Sequence, residues 1–389
     1  MDSRISAALS CSWLVAVLMT ACLKTPTETP FQRPAECRGE STEASDVPNC
    51  LLAQGVLSLA DRDSSFRSFT RAASLRDSLS ADSTVIAFGK AAELTRALAR
   101  ISQFYGRGLL SDSARFNRMR DHVLVTMEYV RGSILSVAGR LYPKVTPYLG
   151  WQFYPNTGVY FQPVTTVNPQ YLYYLLPRPT VPLDSLIGMT DALYRYGMWR
   201  HDGRRRFIVW EYEFPFNSGG VLEDPPWISS LGQGLALMSF LERFRRTGDE
   251  TWKNRALDVF ESYKVMWDRG GILLPDTTHG YWWEEFNPSV RIWNGSAWSV
   301  LGVGYLSQLT GDTTAARVFA RGIEAIKYYT PEYDTGSWTL YSRTQGYNTI
   351  GYHGICIAIM DQLFAQSGDP WFKTVADRWR TYVPPPGVK

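Results

Sequence analysis

From residue 51 to residue 141 apolar side chains recur at three- and four-residue spacing, the period of a helix with one buried face. Thr84–Tyr105 places Ile86, Phe88, Ala91, Leu94, Leu98 and Ile101 in that register; Ser111–Ile134 continues it with Phe116, Met119, Val123, Met127 and Val130. These stripes predict core-facing helices with no chemistry of their own. At Leu141 the pattern changes. From Tyr142 to Pro182, Pro, Gly and Tyr crowd together, which predicts loops and short strands. Asp184–Trp199 returns to helical spacing with Asp184 as N-cap. His201-Asp202-Gly203 then turns the chain into a strand, Phe207–Phe214. Its alternation puts Glu211 and Glu213 on one face and Trp210, Tyr212 and Phe214 on the other.

After Pro225-Pro226 the helical segments come in pairs: Ile228–Arg246 with Glu250–Trp267, Asn294–Leu309 with Thr313–Tyr329, Gly354–Phe364 with Asp369–Tyr382. A Gly-Asp step separates the members each time, at Gly248-Asp249, Gly311-Asp312 and Gly368-Asp369. Gly closes one helix in a left-handed turn and Asp begins the next by capping its free amides. A hairpin repeating with this punctuation predicts a mainly α fold: an α/α toroid (an incomplete α/α barrel) of helical hairpins with a small β/loop-rich region. The divisions expected are 1–21, a signal peptide; 22–50, a flexible tether; 51–140, an N-terminal helical region; 141–225, a β/loop-rich region with one helix; and 226–389, the toroid. The segments between hairpins, Gly270–Pro288 and Pro331–Tyr352, are where such an architecture builds its sites.

Composition narrows the partners. The net charge is +3 over 389 residues, and Arg204–Arg206 is the one basic run, so nucleic acid is not an expected ligand. Fourteen Trp and 22 Tyr provide flat apolar faces with polar tips, suited to stacking on sugar rings. At the N-terminus, Arg4, the apolar run Leu14–Met19 and small residues before Cys22 predict an export signal. Leu18-Met19-Thr20-Ala21-Cys22 resembles a bacterial lipobox, implying cleavage before Cys22 and a lipid anchor there, hence a periplasmic or outer-membrane location. In an oxidising compartment Cys37 and Cys50 have a spacing that could close a disulfide. Cys356 reads as a buried small hydrophobe.

The candidate chemistry gathers in Tyr333–His353 (YDTGSWTLYSRTQGYNTIGYH): four tyrosines, Arg343 and His353, just before an apolar helix. Phenols and a guanidinium together can grip an anionic sugar and move a proton. With WEYEFPF (Trp210–Phe216), PPWISSLGQG (Pro225–Gly234), WWEEFNP (Trp282–Pro288), WNG (Trp293–Gly295), the Tyr352-His353 pair and FKTVADRWRTYV (Phe372–Val383), this stretch resembles the D-glucuronyl C5-epimerase family. Upstream, Gly150–Val164 resembles the entry segment of its bacterial members. These enzymes invert C5 of glucuronic acid within a heparosan or heparan chain. The reaction needs a base on one face of the ring, a proton donor on the other, and groups that stabilise the doubly charged aci-carboxylate.

The resemblance implies Glu285 and Tyr352 as acid/base residues and Tyr341 as the tyrosine that closes over the uronate. It implies Arg343 as a carboxylate clamp. His353 orients Tyr352, meets the acid group, or is a lone buried histidine with a structural hydrogen bond. Asn294 and Gln233 are candidate sugar or carboxylate contacts or else buried helix-start polar groups, and Trp283 and Tyr333 are assigned to substrate binding. Phe286 stands where vertebrate members carry a tyrosine, the segment between Tyr341 and Tyr352 is shorter than theirs, and Cys356 occupies the place of a second histidine. Some members of the family are dimers and carry a calcium ion in a β-domain. No acidic loop here has convincing ligand spacing for one, and the proton exchange requires no metal or organic cofactor, so none is assigned. The expected activity is C5 epimerisation of D-glucuronosyl to L-iduronosyl residues in an anionic uronic-acid polysaccharide, with a uronate lyase or a non-catalytic glycan-binding lipoprotein as alternatives.

Overall fold

A computed structural model describes residue 37 and residues 42–137, 139–167, 181–275, 277–284 and 287–389. The signal peptide and Cys22 anchor expected at the N-terminus lie outside the described residues. Among those described, no helix is long and apolar enough to cross a membrane.

Four helices open the described chain: α1 (Val47–Ala53), α2 (Leu59–Ser80), α3 (Val85–Gly106) and α4 (Ser113–Val130). Ser58, Thr84 and Asp112 cap α2, α3 and α4 by accepting early amide N–H groups. Phe69, Leu94, Ile101, Phe116 and Met119 form their shared core, and Cys37 is joined to Cys50 by a disulfide at its edge. One expectation fails here: Ile86 and Phe88 are exposed rather than core. The buried stripe of α3 runs through Ala87, Ala91, Leu94, Leu98 and Ile101. At about 100° per residue, Ile86 and Phe88 flank that stripe on either side.

The middle region holds an antiparallel sheet ordered β1 (Leu135–Val137), β2 (Arg140–Tyr142), β3 (Trp151–Tyr154), β4 (Gly158–Phe161). Helix α5 (Leu183–Tyr196) follows; its N-cap is Pro182, and Asp184 lies inside the first turn rather than capping it. The strand expected over Phe207–Phe214 is broken at Trp210. β6 (Arg206–Val209) pairs with β5 (Met198–His201), whereas β7 (Glu211–Tyr212) pairs with β8 (Trp227–Ile228). Trp210 consequently joins the main core, while Tyr212 and Phe214 join a separate aromatic cluster with Tyr160 and Trp227.

Behind this break lies an ion cluster in which Arg118, Glu211 and Glu213 are buried and Arg115 and Arg200 partly so. Glu211 accepts from Arg115 at 2.8 and 2.9 Å, from Arg118 at 2.9 Å and from Arg200 at 2.9 Å; Arg118 also meets Glu213 at 2.9 Å. Burial opposes ionisation of Glu211, but the three guanidiniums hold its carboxyl well below the usual range. Helix α4, read as purely apolar in function, is thus tied ionically to the strand.

The rest is three hairpins: α6 (Ser230–Thr247) with α7 (Glu250–Glu261), α8 (Trp293–Thr310) with α9 (Thr313–Tyr329), and α10 (Ile350–Ser367) with α11 (Pro370–Arg380). α6 packs on α8 and α8 on α10, and each returns through its own partner. α8 is buried nearly all round, while α9 buries a single stripe (Ala315, Val318, Gly322, Ala325, Ile326, Tyr329), so α8 is an inner helix and α9 an outer one. The result is an incomplete α/α toroid. Gly248, Gly311 and Gly368 sit in left-handed turns, and Asp249, Asp312 and Asp369 cap the following helices. The α6–α8 contact is backbone-close: a Cβ on Gly302 would lie 3.1 Å from the Gly234 carbonyl oxygen.

Candidate active site

The starts of the inner helices converge on Glu284. The Ser230 amide at the head of α6 donates to the Glu284 carbonyl at 3.0 Å, and the Ile292 amide ahead of α8 donates to its carboxylate at 3.3 Å. Ile292 bridges to Ser342, which brings the Tyr333–His353 loop alongside. Within that loop, Asp334 pairs with Thr339 and Leu340 with Tyr347, a narrow double-backed ribbon ahead of α10.

His353 anchors the ribbon's far end. Its Nε2 lies 3.0 Å from the Trp379 carbonyl, which can only accept, so Nε2 carries the proton. Nδ1 therefore accepts from the Thr339 hydroxyl at 2.8 Å, and that oxygen accepts from Asn348 Nδ2 at 2.9 Å. The ring stacks on Trp338 at 3.8 Å, and burial lowers its pKa, keeping it neutral. His353 is thus a buried histidine held by structural hydrogen bonds in the first turn of α10, beside Tyr352.

Tyr352 is 39% exposed and meets Tyr341 edge-to-face with ring centroids 5.3 Å apart. Tyr341 packs against the aromatic cluster of Tyr160, Tyr212, Phe214 and Trp227, as does Tyr154. Tyr154 stands on β3, packs at a tilt on Phe214 with ring centroids 4.4 Å apart and accepts from Gln162 Nε2 at 3.0 Å. Burial pushes its phenol pKa up, and proximity to Tyr352 adds to the rise. The β-region thereby contributes a third phenol to the tyrosine pair.

A second group flanks Glu284. Arg291 is nearly buried, adopts φ +44° and lays its guanidinium over Tyr329 at 4.7 Å; Arg343 lies over the same ring at 5.7 Å. Asn294, in the first turn of α8, is 4% exposed, and its side-chain oxygen has no hydrogen-bond partner among the described residues. Arg343 is bidentate to Glu332 at 2.7 and 2.8 Å, so its fork is already occupied by a carboxylate. Among the described residues no three His, Cys, Asp or Glu side chains gather as a metal set.

The expected site residues therefore divide. Tyr341, Tyr352, Arg343 and Asn294 lie on the converging loops and helix starts. Glu285 and the substituted position Phe286 lie outside the described residues. Gln233, Trp283 and Tyr333 are instead buried with their polar groups taken up by scaffold partners, which for Gln233 is the buried helix-start alternative. Gln233 accepts from the Trp210 amide and donates to the Ile208 carbonyl and Ser262 hydroxyl. Trp283 donates to the Tyr263 carbonyl, and Tyr333 to the Arg291 carbonyl at 2.7 Å. Two residues escaped sequence reading, Arg291 and Tyr154. The signal for Arg291 is a charged residue between Val290 and Ile292 just before WNG, and Tyr154 is one of many tyrosines.

Known proteins bear on this region. Residues 204–381 match the family model of the D-glucuronyl C5-epimerase C-terminus. An uncharacterised protein of Methanocaldococcus jannaschii is 28% identical over 180 residues, 45% of this chain and 58% of that one. A D-glucuronyl C5-epimerase of Caenorhabditis elegans is 26% identical over 180 residues, 41% of this chain and 29% of that one. The chain thus spans less than two thirds of the length of these curated relatives. A solved unsaturated glucuronyl hydrolase from Bacillus sp. GL1 superposes with a TM-score of 0.36 at 12% identity, covering 77% of this chain and 73% of that one. Over residues 204–381, therefore, the chain matches the C-terminal domain of the D-glucuronyl C5-epimerase family.

Proposed function

We propose that the protein is a polysaccharide uronate C5-epimerase that converts D-glucuronosyl to L-iduronosyl residues in a heparosan-like polymer. The observation that carries the reading is the Tyr341–Tyr352 pair, half-open to solvent on the loop and helix start that bear the family's motifs. In the proposed reaction one of Glu285 and Tyr352 takes the C5 proton, and the electron pair moves into the adjacent carboxylate to give the aci-form. The other returns a proton to the opposite face, so no bond to the neighbouring sugar breaks. Tyr341 closes over the ring. Arg343 neutralises the doubly charged carboxylate after exchanging Glu332 for it, and Asn294 offers an unsatisfied amide oxygen to a hydroxyl. The Cys37–Cys50 disulfide supports export, since such bonds persist in oxidising compartments, and a lipid anchor at Cys22 would hold the enzyme where polysaccharides are met.

The test is incubation with heparosan and its N-sulfated form in D₂O. Deuterium at uronate C5 with appearance of iduronate supports the reading. An unsaturated, ultraviolet-absorbing product would assign a lyase, and binding without exchange would assign a lectin-like role.

A further inference from the structure

The Arg204–Arg206 run has no part in the chemistry above, and its middle member leads to a second site. The β5–β6 hairpin turns at Asp202, whose carboxylate accepts from the amides of Arg204 and Arg205 at 2.9 and 2.6 Å. That turn delivers the Arg205 side chain to a depression of about 570 Å³ on the outer face of the toroid. Lys264, beyond the end of α7, enters from one side; Thr314, Arg317 and Arg321 enter from successive turns of α9. Tyr281 forms a wall, half-buried, with Arg321 above its ring at 5.5 Å.

The charge is unbalanced. Glu261 pairs with both Arg205 and Lys264, and Glu324 pairs with Arg321. Four cations thus face two carboxylates. Arg317 is exposed, and its hydrogen bond goes to the Thr314 hydroxyl at 3.3 Å. None of the six lining residues named here belongs to the Tyr341–Tyr352 region. The chain as a whole is nearly neutral, so a concave cluster of this kind is a local feature and not spill-over from a basic surface.

The geometry points to an accessory binding site for an acidic polysaccharide, in which Arg205, Lys264, Arg317 and Arg321 meet ring carboxylates and Tyr281 supports a sugar face. Guanidiniums match carboxylates through paired N–H groups, and a phenol ring at the wall of a basic depression suits an anionic sugar better than a bare phosphate. A site on the outer face would hold a long chain while a distant residue of the same chain occupies the cleft, raising the effective local concentration of substrate. The inference uses the uronate reading only to choose the probe.

The probe is a size-defined heparosan oligosaccharide, titrated calorimetrically into the whole protein at two or more salt concentrations. Arg317→Glu is expected to weaken binding at least fivefold at low salt and to flatten its salt dependence, with Tyr281→Ala weakening it at least threefold. Thermal unfolding of both variants confirms that they are folded. The same losses are expected in a Tyr352→Phe background, so failure of the epimerase reading alone would leave them intact. Unchanged affinity in Arg317→Glu would overturn the proposal. So would a single-stranded oligonucleotide of equal charge that binds as tightly and loses the same factors, which would make the depression a general polyanion surface.

Discussion

The Arg343–Glu332 pair allows the carboxylate-clamp role to be tested by adding affinity as well as by removing it. Both side chains are substantially open, at 38% and 40%, and such exposed pairs contribute about 0–1 kcal/mol. Glu332→Gln should therefore leave the stability within about 1 kcal/mol of wild type. If Arg343 must release Glu332 to take the uronate carboxylate, the same change removes a competitor and a like charge. The expected gain is up to about 1 kcal/mol, a fall in KM of up to about fivefold. Arg343→Met removes the receiving group altogether. Hydrogen bonds to a charged group are worth about 1.5–3 kcal/mol, so kcat/KM should drop about tenfold to a hundredfold. C5 deuterium exchange at varied polymer concentration measures both effects, and a melting curve checks the fold. If Glu332→Gln leaves KM unchanged and Arg343→Met retains full activity, the pair is only a surface ion pair and the clamp is elsewhere, with Arg291 the next cation to examine.

Other consequences are independent of that pair. Tyr352→Phe keeps the edge contact with Tyr341 but loses the phenolic proton, so exchange should fall by about a hundredfold or more, with unfolding unchanged. Gly302→Val places a branched side chain against the Gly234 carbonyl; it should cost about 1–3 kcal/mol in urea unfolding, and an unaltered midpoint would mean that α6 and α8 are not close-packed. Glu213 supplies a pH signature. Burial, only partly offset by Arg118, pushes its pKa up to about 7 from 4.5. The folded state then binds the proton more tightly than the unfolded chain. Its contribution is fully favourable below about pH 4.5 and is lost as pH rises through about 7, on the order of 3 kcal/mol. Glu213→Gln should flatten that part of the stability–pH curve, and a curve unchanged from wild type would contradict the assignment.

The parts of the fold legible in the sequence are those fixed by neighbours along the chain. Gly followed by Asp carries its meaning locally, one in a left-handed turn and the other accepting an amide two or three residues on, so the hairpins could be placed without knowing their partners. The strand through Trp210 was not legible. Its break depends on Arg115 and Arg118, more than ninety residues upstream, which draw Glu211 into the interior. Site residues divide in the same way. Tyr341 and Tyr352 are exposed or half-exposed on motif-bearing segments, where a polar tip stays available. Gln233 has the right polarity and position for a sugar contact, but its amide is consumed by the Trp210 and Ile208 backbone groups, a pairing set by how two distant segments meet. Arg343 could be read as a cation but not as one already holding Glu332, because the partner arrives through the turn at Thr330–Tyr333.

The central claim is that Glu285 and Tyr352 exchange the C5 proton of a polymer-bound uronate. It is tested most directly by NMR of heparosan incubated in D₂O with wild-type protein and with Glu285→Gln. The account predicts deuterium at C5 and iduronate with the wild type, and neither with the variant. Equal exchange by Glu285→Gln, or no C5 deuterium with any uronate polymer, would contradict it.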